Sequence, residues 1–454
     1  MNRPPSPPSR QNLALHLAAA IACFHLAFEL PAFRPLIFLY LFHVIQLSAA
    51  PSTRSAFYLG LGAGLGVAAP QLGFFWTLFG PSAIALWLVL AFWVGLFVAL
   101  AHIARARLRA FPAALLVAAL WTGLEYFRSE LYYLRFAWLT IGHALGDSWL
   151  NSLGGFTAGF LLAALAAGAS LFRRRRAILL PASLLLIAAT SWQSPPSADA
   201  AGRGFVVTGI QMEFPSEPEV EMALHDTLKK HPETDLFVLS EYTFDGPVPP
   251  RILAWCRKNG RHLLAGGKKS IDATRYFNTA FVVDPRGEVI FEQAKRVPIQ
   301  FFQDGEPAPS QRVWSSPWGP VGICLCYDLS YRRVVDELAR QGAAALIIPT
   351  MDVIDWGRHQ HELHARIGPL RAREYHLPVV RVCSSGNSQI IEAGGRVVAT
   401  APFAGNNATL SHRILPGLPA RRPLDHWLAP ACVAVTALFP IGLLIRKLSS
   451  RPTA

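Results

Sequence analysis

Apolar residues fall into two regimes along the chain. From about residue 13 to 192, and again near the C-terminus, they form long runs broken by short polar turns. Between about 203 and 426 they form short runs that alternate with polar and charged stretches. The long segments are 13–30, 35–50, 57–79, 83–103, 111–127, 154–172, 177–192 and 427–445. About 20 apolar residues are needed to cross a bilayer as a helix, so these eight are candidate spans. The segment 35–50 is among the shortest, and a re-entrant or interfacial piece is its alternative. The short runs 205–211, 236–240, 262–266, 279–283, 289–291, 321–326, 344–348 and 379–383 are predicted strands. The stretches 218–231, 330–341 and 359–374 are predicted helices. Asp284-Pro-Arg-Gly287 marks a turn between two strands. This order predicts an α/β layered domain, large enough to bury its own core.

The resulting organisation is an N-terminus at 1–10, a seven-helix membrane domain at 11–193 and a Pro-, Ser- and Ala-rich linker at 194–204. An α/β domain follows at 205–414, then a linker at 415–426, a last membrane helix at 427–445 and a tail at 446–454. No internal repeat is visible. The first run lacks a small-residue cleavage site and reads as the first membrane helix rather than a cleaved signal.

Charge orients this arrangement. Only 16% of the 454 residues are charged, against about a quarter in soluble chains. The deficit lies in the long apolar runs. The formal net charge is +13. Much of it sits in short clusters between the runs: Arg105, Arg107 and Arg109, then Arg173, Arg174, Arg175 and Arg176. No basic stripe with interleaved aromatics occurs in the α/β part, so nucleic-acid binding is not expected. With Arg3 and Arg10 in the cytoplasm, alternation also places Arg54, both arginine clusters, Arg446 and Lys447 there. Arg421 and Arg422 are the exception. The α/β domain then lies outside the cytoplasm and both termini inside. Residues 128–153 mix aromatic and charged residues, which suits a segment in the headgroup layer. Glu125, an acid within an apolar run, is either functional or a headgroup-facing helix end.

Six cysteines are present, with no zinc-type spacing and no disulfide framework. Cys324 and Cys326 are predicted to share a strand face, too far apart to bond. Cys326 ends a predicted strand and precedes a helix, a position that exposes a nucleophile beside backbone N–H groups. Glu241 and Lys295 each follow a predicted strand. A thiol is mostly protonated near neutral pH and needs a base, which a glutamate supplies. An ammonium stabilises the oxyanion formed on attack at a carbonyl. Taken singly, each residue has a plainer reading: a small core cysteine, a capping acid, a surface lysine. His361 and His364 would share a helix face, but His359 would not, and no acid stands at a clear ligand spacing. Neither a metal nor a cofactor is expected.

Together these residues resemble a known family. Gly322-Ile-Cys-Leu-Cys326-Tyr-Asp-Leu-Ser-Tyr331, followed by the stretch from Gly342 to Pro349, resembles the nucleophile strand and the next strand of the nitrilase superfamily. Leu239-Ser-Glu241 and Ala294-Lys295 resemble its glutamate and lysine motifs. Trp356-Gly, Gln360-His361, Ala365-Arg366, Arg371-Ala-Arg-Glu374 and Arg381-Val-Cys-Ser-Ser-Gly386 are similar to its membrane branch, apolipoprotein N-acyltransferase. So are Trp121 to Arg128, Trp138 to Gly142 and Gly155 to Phe160 in the apolar part.

The resemblance implies about eight transmembrane helices with a nitrilase-like αββα sandwich, in a bacterial inner membrane. It implies transfer of an acyl chain from a phospholipid donor to the amino terminus of a diacylglyceryl-cysteine lipoprotein. Cys326 would carry the acyl group as a thioester, Glu241 would move protons, and Lys295 with the N–H of Tyr327 would hold the oxyanion. A membrane-tethered amidase acting on a small carbon–nitrogen bond, and a catalytically silent membrane scaffold, are the competing readings. One departure stands out. The family's Val-Pro-Phe-Gly-Glu run, with a second essential glutamate, is replaced by Val297-Pro-Ile-Gln-Phe-Phe-Gln303-Asp-Gly-Glu306. Gln300, Gln303 or Glu306 is expected to stand in for that glutamate. Asp328 stands where the family commonly has Glu. Trp138 and Trp149 are candidates for a lipid portal.

Overall fold

The computed structural model describes residues 9–192, 204–405 and 408–449. The predicted linker 194–204 lies almost wholly outside them, as do most of the N-terminal stretch 1–10 and the end of the tail 446–454. The chain divides into two compact units, one of residues 1–193 and 423–454, the other of residues 194–422.

The first unit is helical. Its elements are α1 (Arg10–Glu29), α2 (Leu36–Leu47), α3 (Thr53–Gln71), α4 (Phe74–Phe79), α5 (Ser82–Arg107), α6 (Ala110–Tyr126), α7 (Ile141–Leu145), α8 (Gly155–Leu171) and α9 (Arg176–Trp192), completed by the C-terminal helix Asp425–Ser449. Each of the eight predicted apolar segments holds a helix. Four stretches, Arg10–Glu29, Ser82–Arg107, Ala110–Leu131 and Asp425–Ile445, are long and apolar enough to cross a membrane. The helix in segment 35–50 has only 12 residues, about 18 Å at 1.5 Å per residue, well short of a bilayer core. Segment 57–79 is not one helix, because the chain breaks at Leu72 and Gly73 after Pro70. Glycine permits close packing here. A Cβ on Gly60 would come within 2.8 Å of the Val94 carbonyl, and one on Gly64 within 2.7 Å of Ala91 Cα, so α3 and α5 touch backbone to backbone.

Much of the segment 128–153 is buried, while Leu131, Tyr133 and Trp149 remain exposed. Ala137 to Leu145 are buried, and Trp138 packs on Phe74 and Phe136. Glu125 does not face headgroups: it is buried and accepts the Ile141 N–H at 3.1 Å, with Arg128 at 3.9 Å. Asp425, predicted as linker, is also buried. Its carboxylate accepts the N–H groups of Phe156 and Thr157 at 3.1 and 2.6 Å and the Thr157 hydroxyl at 2.6 Å. It thereby caps α8 and ties the C-terminal helix to it.

The second unit is a layered α/β fold of two six-stranded sheets. The strands are β1 (Phe205–Ile210), β2 (Leu236–Leu239), β3 (His262–Ser270), β4 (Tyr276–Val283), β5 (Val289–Ala294), β6 (Val313–Ser316), β7 (Gly319–Ile323), β8 (Ala345–Thr350), β9 (Val379–Cys383), β10 (Ser388–Ile391), β11 (Val397–Ala401) and β12 (Thr409–Ile414). Their orders are β12-β1-β2-β3-β4-β5 and β11-β10-β9-β8-β7-β6. Each sheet has a parallel centre, β1-β2-β3 or β7-β8-β9, with antiparallel strands outside it.

Strand alternation assigns the layers. Leu236 and Val238 of β2 point into a core shared with Ile323, Ile347, Val380 and Val382 of the other sheet. Phe237 and Leu239 point the opposite way, onto Val220, Leu224, Ile252 and Trp255. Those four lie on α10 (Glu217–Lys230) and α11 (Pro250–Asn259). The other sheet is covered by α12 (Arg332–Arg340), α13 (Arg358–Ala365) and α14 (Ile367–Tyr375). The predicted helix 359–374 is therefore two helices. The predicted strand 321–326 ends at Ile323, so Cys324 and Cys326 lie in the turn beyond it rather than on one strand face.

Candidate active site

Three strand ends of the α/β unit supply the site. Glu241 lies just beyond β2, Lys295 just beyond β5, and Cys326 three residues beyond β7. Cys326 opens a 3-10 turn, Cys326–Ser330, with φ +47°. A non-glycine residue held in that region costs about 1–3 kcal/mol, a strain found at functional turns. The turn brings the Tyr327 N–H next to the sulfur in sequence. All three side chains are at least 98% buried.

The carboxylate of Glu241 is fixed at both oxygens. Lys295 Nζ donates to Oε1 at 2.8 Å, Asn278 Nδ2 to the same oxygen at 2.6 Å, and the Met351 N–H to Oε2 at 2.8 Å. The thiol of Cys326 donates to the Met351 carbonyl at 3.7 Å. One peptide residue thus touches both base and thiol. Burial pushes the Cys326 thiol well above the ordinary range, and the Glu241 charge adds to it while Lys295 works against it. The resting sulfur is therefore a thiol that needs a base. Burial also raises Glu241; Lys295 lowers it and Asp304 raises it. A raised carboxylate can both take a proton and give it back. Burial works against the charge on Lys295, but the carboxylates of Asp304 and Glu241 outweigh it and hold the ammonium firmly charged.

Asp304 is the residue that sequence reasoning missed. Its Oδ2 lies 2.6 Å from Lys295 Nζ and accepts the Ile299 N–H at 2.7 Å. Its Oδ1 accepts from Asn278 Nδ2 at 2.8 Å and from the Tyr242 hydroxyl at 2.9 Å. Gln303 and Glu306, the expected substitutes, are exposed, and Gln300 is half-buried. The Gln303 carbonyl accepts from the Tyr276 hydroxyl at 2.7 Å, and the Glu306 N–H donates to the Tyr276 carbonyl at 2.8 Å. The available signal was an acid nine residues after the lysine, one position beyond Gln303.

Asp328 has a clear structural task. Its carboxylate accepts N–H groups from Leu325 at 3.1 Å, Arg296 at 3.0 Å and Val297 at 2.7 Å. It joins the cysteine turn to the chain that carries Lys295. Burial lifts its carboxyl to about 6, against the pull of Lys295 and the three N–H groups.

Two family profiles match the chain in tandem. The apolipoprotein N-acyltransferase N-terminal domain covers residues 17–169, and the carbon-nitrogen hydrolase family covers residues 218–413. Along both parts the chain is similar to the apolipoprotein N-acyltransferase branch of the carbon-nitrogen hydrolases. The apolipoprotein N-acyltransferase of Sinorhizobium medicae is 28% identical over 262 residues, which is 48% of this chain and 46% of that protein. That of Methylococcus capsulatus is 28% identical over 372 residues, 70% of each chain. The chain therefore spans about half the length of the first relative and more of the second. A carbon-nitrogen hydrolase from Helicobacter pylori G27 aligns at 18% identity with a TM-score of 0.41, covering 55% of this chain and 95% of that one.

Two further placements matter. Of the portal candidates, Trp149 is 46% exposed but Trp138 is buried. Of the histidines, His361 bonds the Val353 carbonyl at 2.9 Å, and His364 reaches Asp352 at 2.8 Å. Ligand atoms of Cys326, Asp352 and His364 lie within 4.8 Å of one another, close enough in principle to share a metal ion. The Arg381 guanidinium already bonds Asp352 there and lies 2.9 Å from His364 Nδ1, so a dication would meet a fixed cation. These residues do not suit a metal.

Proposed function

We propose that this chain transfers a fatty acyl chain from a membrane phospholipid to the N-terminal amine of diacylglyceryl-cysteine lipoproteins, through a thioester on Cys326. The observation that carries this reading is the single Met351 residue bonded to both Glu241 and Cys326, beside a charged Lys295, in a chain that also has a large apolar helical unit. An enzyme of soluble small amides has no need of that unit.

In the first half-reaction Glu241 takes the thiol proton and the sulfur attacks the ester carbonyl. Lys295 Nζ and the Tyr327 N–H hold the oxyanion. The carbon–oxygen bond breaks, Glu241 returns the proton to the departing alkoxide, and a lysophospholipid leaves. In the second half the lipoprotein amine attacks the thioester, Glu241 accepts its proton, the carbon–sulfur bond breaks, and the proton returns to the sulfur. The order predicts ping-pong kinetics. Asp304 takes the part of the family's second glutamate by sharing Lys295 and Asn278 with Glu241.

The chain is proposed to cross a bacterial inner membrane eight times, with the catalytic unit outside the cytoplasm and both termini inside. The arginine clusters at 105–109 and 173–176 support that orientation. The short α2 is counted as a crossing because nine of its 12 residues are buried by neighbouring helices, so it need not match the lipid thickness alone. Incubation with phospholipid and then a diacylglyceryl lipopeptide tests the reading. N-acylation of the peptide with loss of activity in Cys326→Ser supports it. Hydrolysis of a small amide, with no lipid reaction, transfers the assignment to a tethered amidase.

A further inference from the structure

A charged cluster lies beside the nucleophile and takes no part in the chemistry above. Asp352, Arg381 and His364 are almost completely buried. They come from different places in the fold: the loop just beyond β8, the middle of β9 and α13. The Asp352 carboxylate accepts from Gln360 Nε2 at 3.1 Å and from Arg381 Nη2, and lies 2.8 Å from His364 Nδ1. Its backbone is held as firmly. The N–H donates to Ser384 Oγ at 3.1 Å, and the carbonyl accepts from the hydroxyls of Ser384, at 2.9 Å, and Ser385.

We propose that Asp352 is a positioning residue for Cys326, acting through the peptide that joins it to Met351, with Arg381 as the counter-charge that keeps it there. The proposal rests on Cys326 being the nucleophile. The carbonyl of that peptide is the one that accepts the thiol at 3.7 Å, and the Met351 N–H on its other side holds Glu241 at 2.8 Å. Met351 makes these contacts by backbone alone, so the orientation of the peptide is set by what grips its neighbour. Asp352 provides that grip at every polar atom it has. A buried ion pair seldom adds net stability over an apolar substitute, so fixing a geometry is the better account of its presence.

The cluster also sets the field at the sulfur. Charges facing Cys326 come from Glu241 beyond β2, Lys295 beyond β5, Asp304 on the following arm, Asp352 beyond β8 and Arg381 on β9, and His364 of α13 is within 4.8 Å. Asp352 disfavours a thiolate and Arg381 favours it, so the two members of the pair oppose one another at the sulfur. Removing one member unbalances the site in a direction that depends on which is removed.

The test uses the purified full chain and iodoacetamide, with alkylation of the Cys326 peptide followed by mass spectrometry across pH. In Asp352→Asn the unbalanced Arg381 should move the alkylation profile to lower pH by about one unit or more. The rate of acyl-enzyme formation should fall about tenfold, with KM for phospholipid nearly unchanged. In Arg381→Met the profile should move to higher pH. The double variant Asp352→Asn/Arg381→Met should return the profile towards wild type yet keep the slow acylation, because both opposing charges are gone but the peptide stays loose. Loss of packing alone would not produce opposite shifts. Profiles that move the same way in both single variants, or an Asp352→Asn protein with wild-type acylation, would overturn the proposal. Alkylation reports on Cys326 without any lipid. Opposite shifts in the two single variants, with a wild-type protein that no lipid acylates, would leave the positioning claim standing and remove the acyltransferase reading instead.

Discussion

Replacing Asp304 by Asn tests how two carboxylates share one lysine. In the native site Lys295 Nζ sits 2.6 Å from Asp304 and 2.8 Å from Glu241, and Asn278 Nδ2 donates to both acids. Burial and the Asp304 charge raise Glu241, while Lys295 lowers it. Removing the Asp304 charge leaves Glu241 with the field of Lys295 unopposed by Asp304. A neighbouring charge at such range shifts a carboxylate by about 1–3 units, so Glu241 should drop by about that amount. As the proposed base, Glu241 must be unprotonated to act. The acid limb of acyl-enzyme formation should therefore move to lower pH in Asp304→Asn. A base that ionises more readily is also a weaker proton acceptor, and the plateau rate should fall about tenfold. Stability should fall too, by up to about 3–5 kcal/mol, because a buried ion pair is broken and an amide cannot accept from all of Ile299, Tyr242 and Asn278 at once. Single-turnover acylation measured from pH 4 to 9, beside a thermal melt in detergent, separates the two effects. An acid limb that stays put, or moves to higher pH, would refute this account of the site.

Other residues give simpler tests. Asp328→Asn should slow acylation about tenfold or more, since its amide NH2 must turn towards N–H donors from Leu325, Arg296 or Val297; rapid acylation would show that the cysteine turn does not need this tether. Asp425→Ala should cost about 1–3 kcal/mol by leaving the buried N–H groups of Phe156 and Thr157 without their acceptor, read as a lower melting temperature in detergent, and an unchanged melt would contradict it. Trp149→Ala should reduce lipid turnover without affecting the melt, whereas Trp138→Ala should lower the melt, because only Trp149 is exposed; the reverse pattern would remove Trp149 as a portal candidate.

Much of this arrangement was legible in the chain itself. Long apolar runs located the helices, and the short runs found every strand of both parallel centres. The edge strands β6, β11 and β12, and β10 next to an edge, escaped, because residues such as Ser315, Gln389 and Ser411 interrupt their apolar pattern. Segment 128–153 looked interfacial from its aromatic and charged mix, yet Trp138 finds Phe74 more than 60 residues away, a contact no local pattern records. Glu241, Lys295 and Cys326 could be read from strand ends and motif. Asp304 could not, since its value depends on an arm that folds back to place it on Lys295. Asp352 and His364 were hidden for the same reason: four positions spread from 352 to 381 meet only when β8, β9 and α13 are packed together.

The central claim is a thioester on Cys326. Intact-mass measurement of the purified chain after incubation with phospholipid, beside Cys326→Ser, tests it most directly. The account predicts a fatty-acyl mass increase that hydroxylamine removes, that a diacylglyceryl lipopeptide discharges, and that the serine variant lacks as a thioester. A wild-type protein that turns over phospholipid or lipopeptide while never gaining that mass, even without an acceptor, would contradict it.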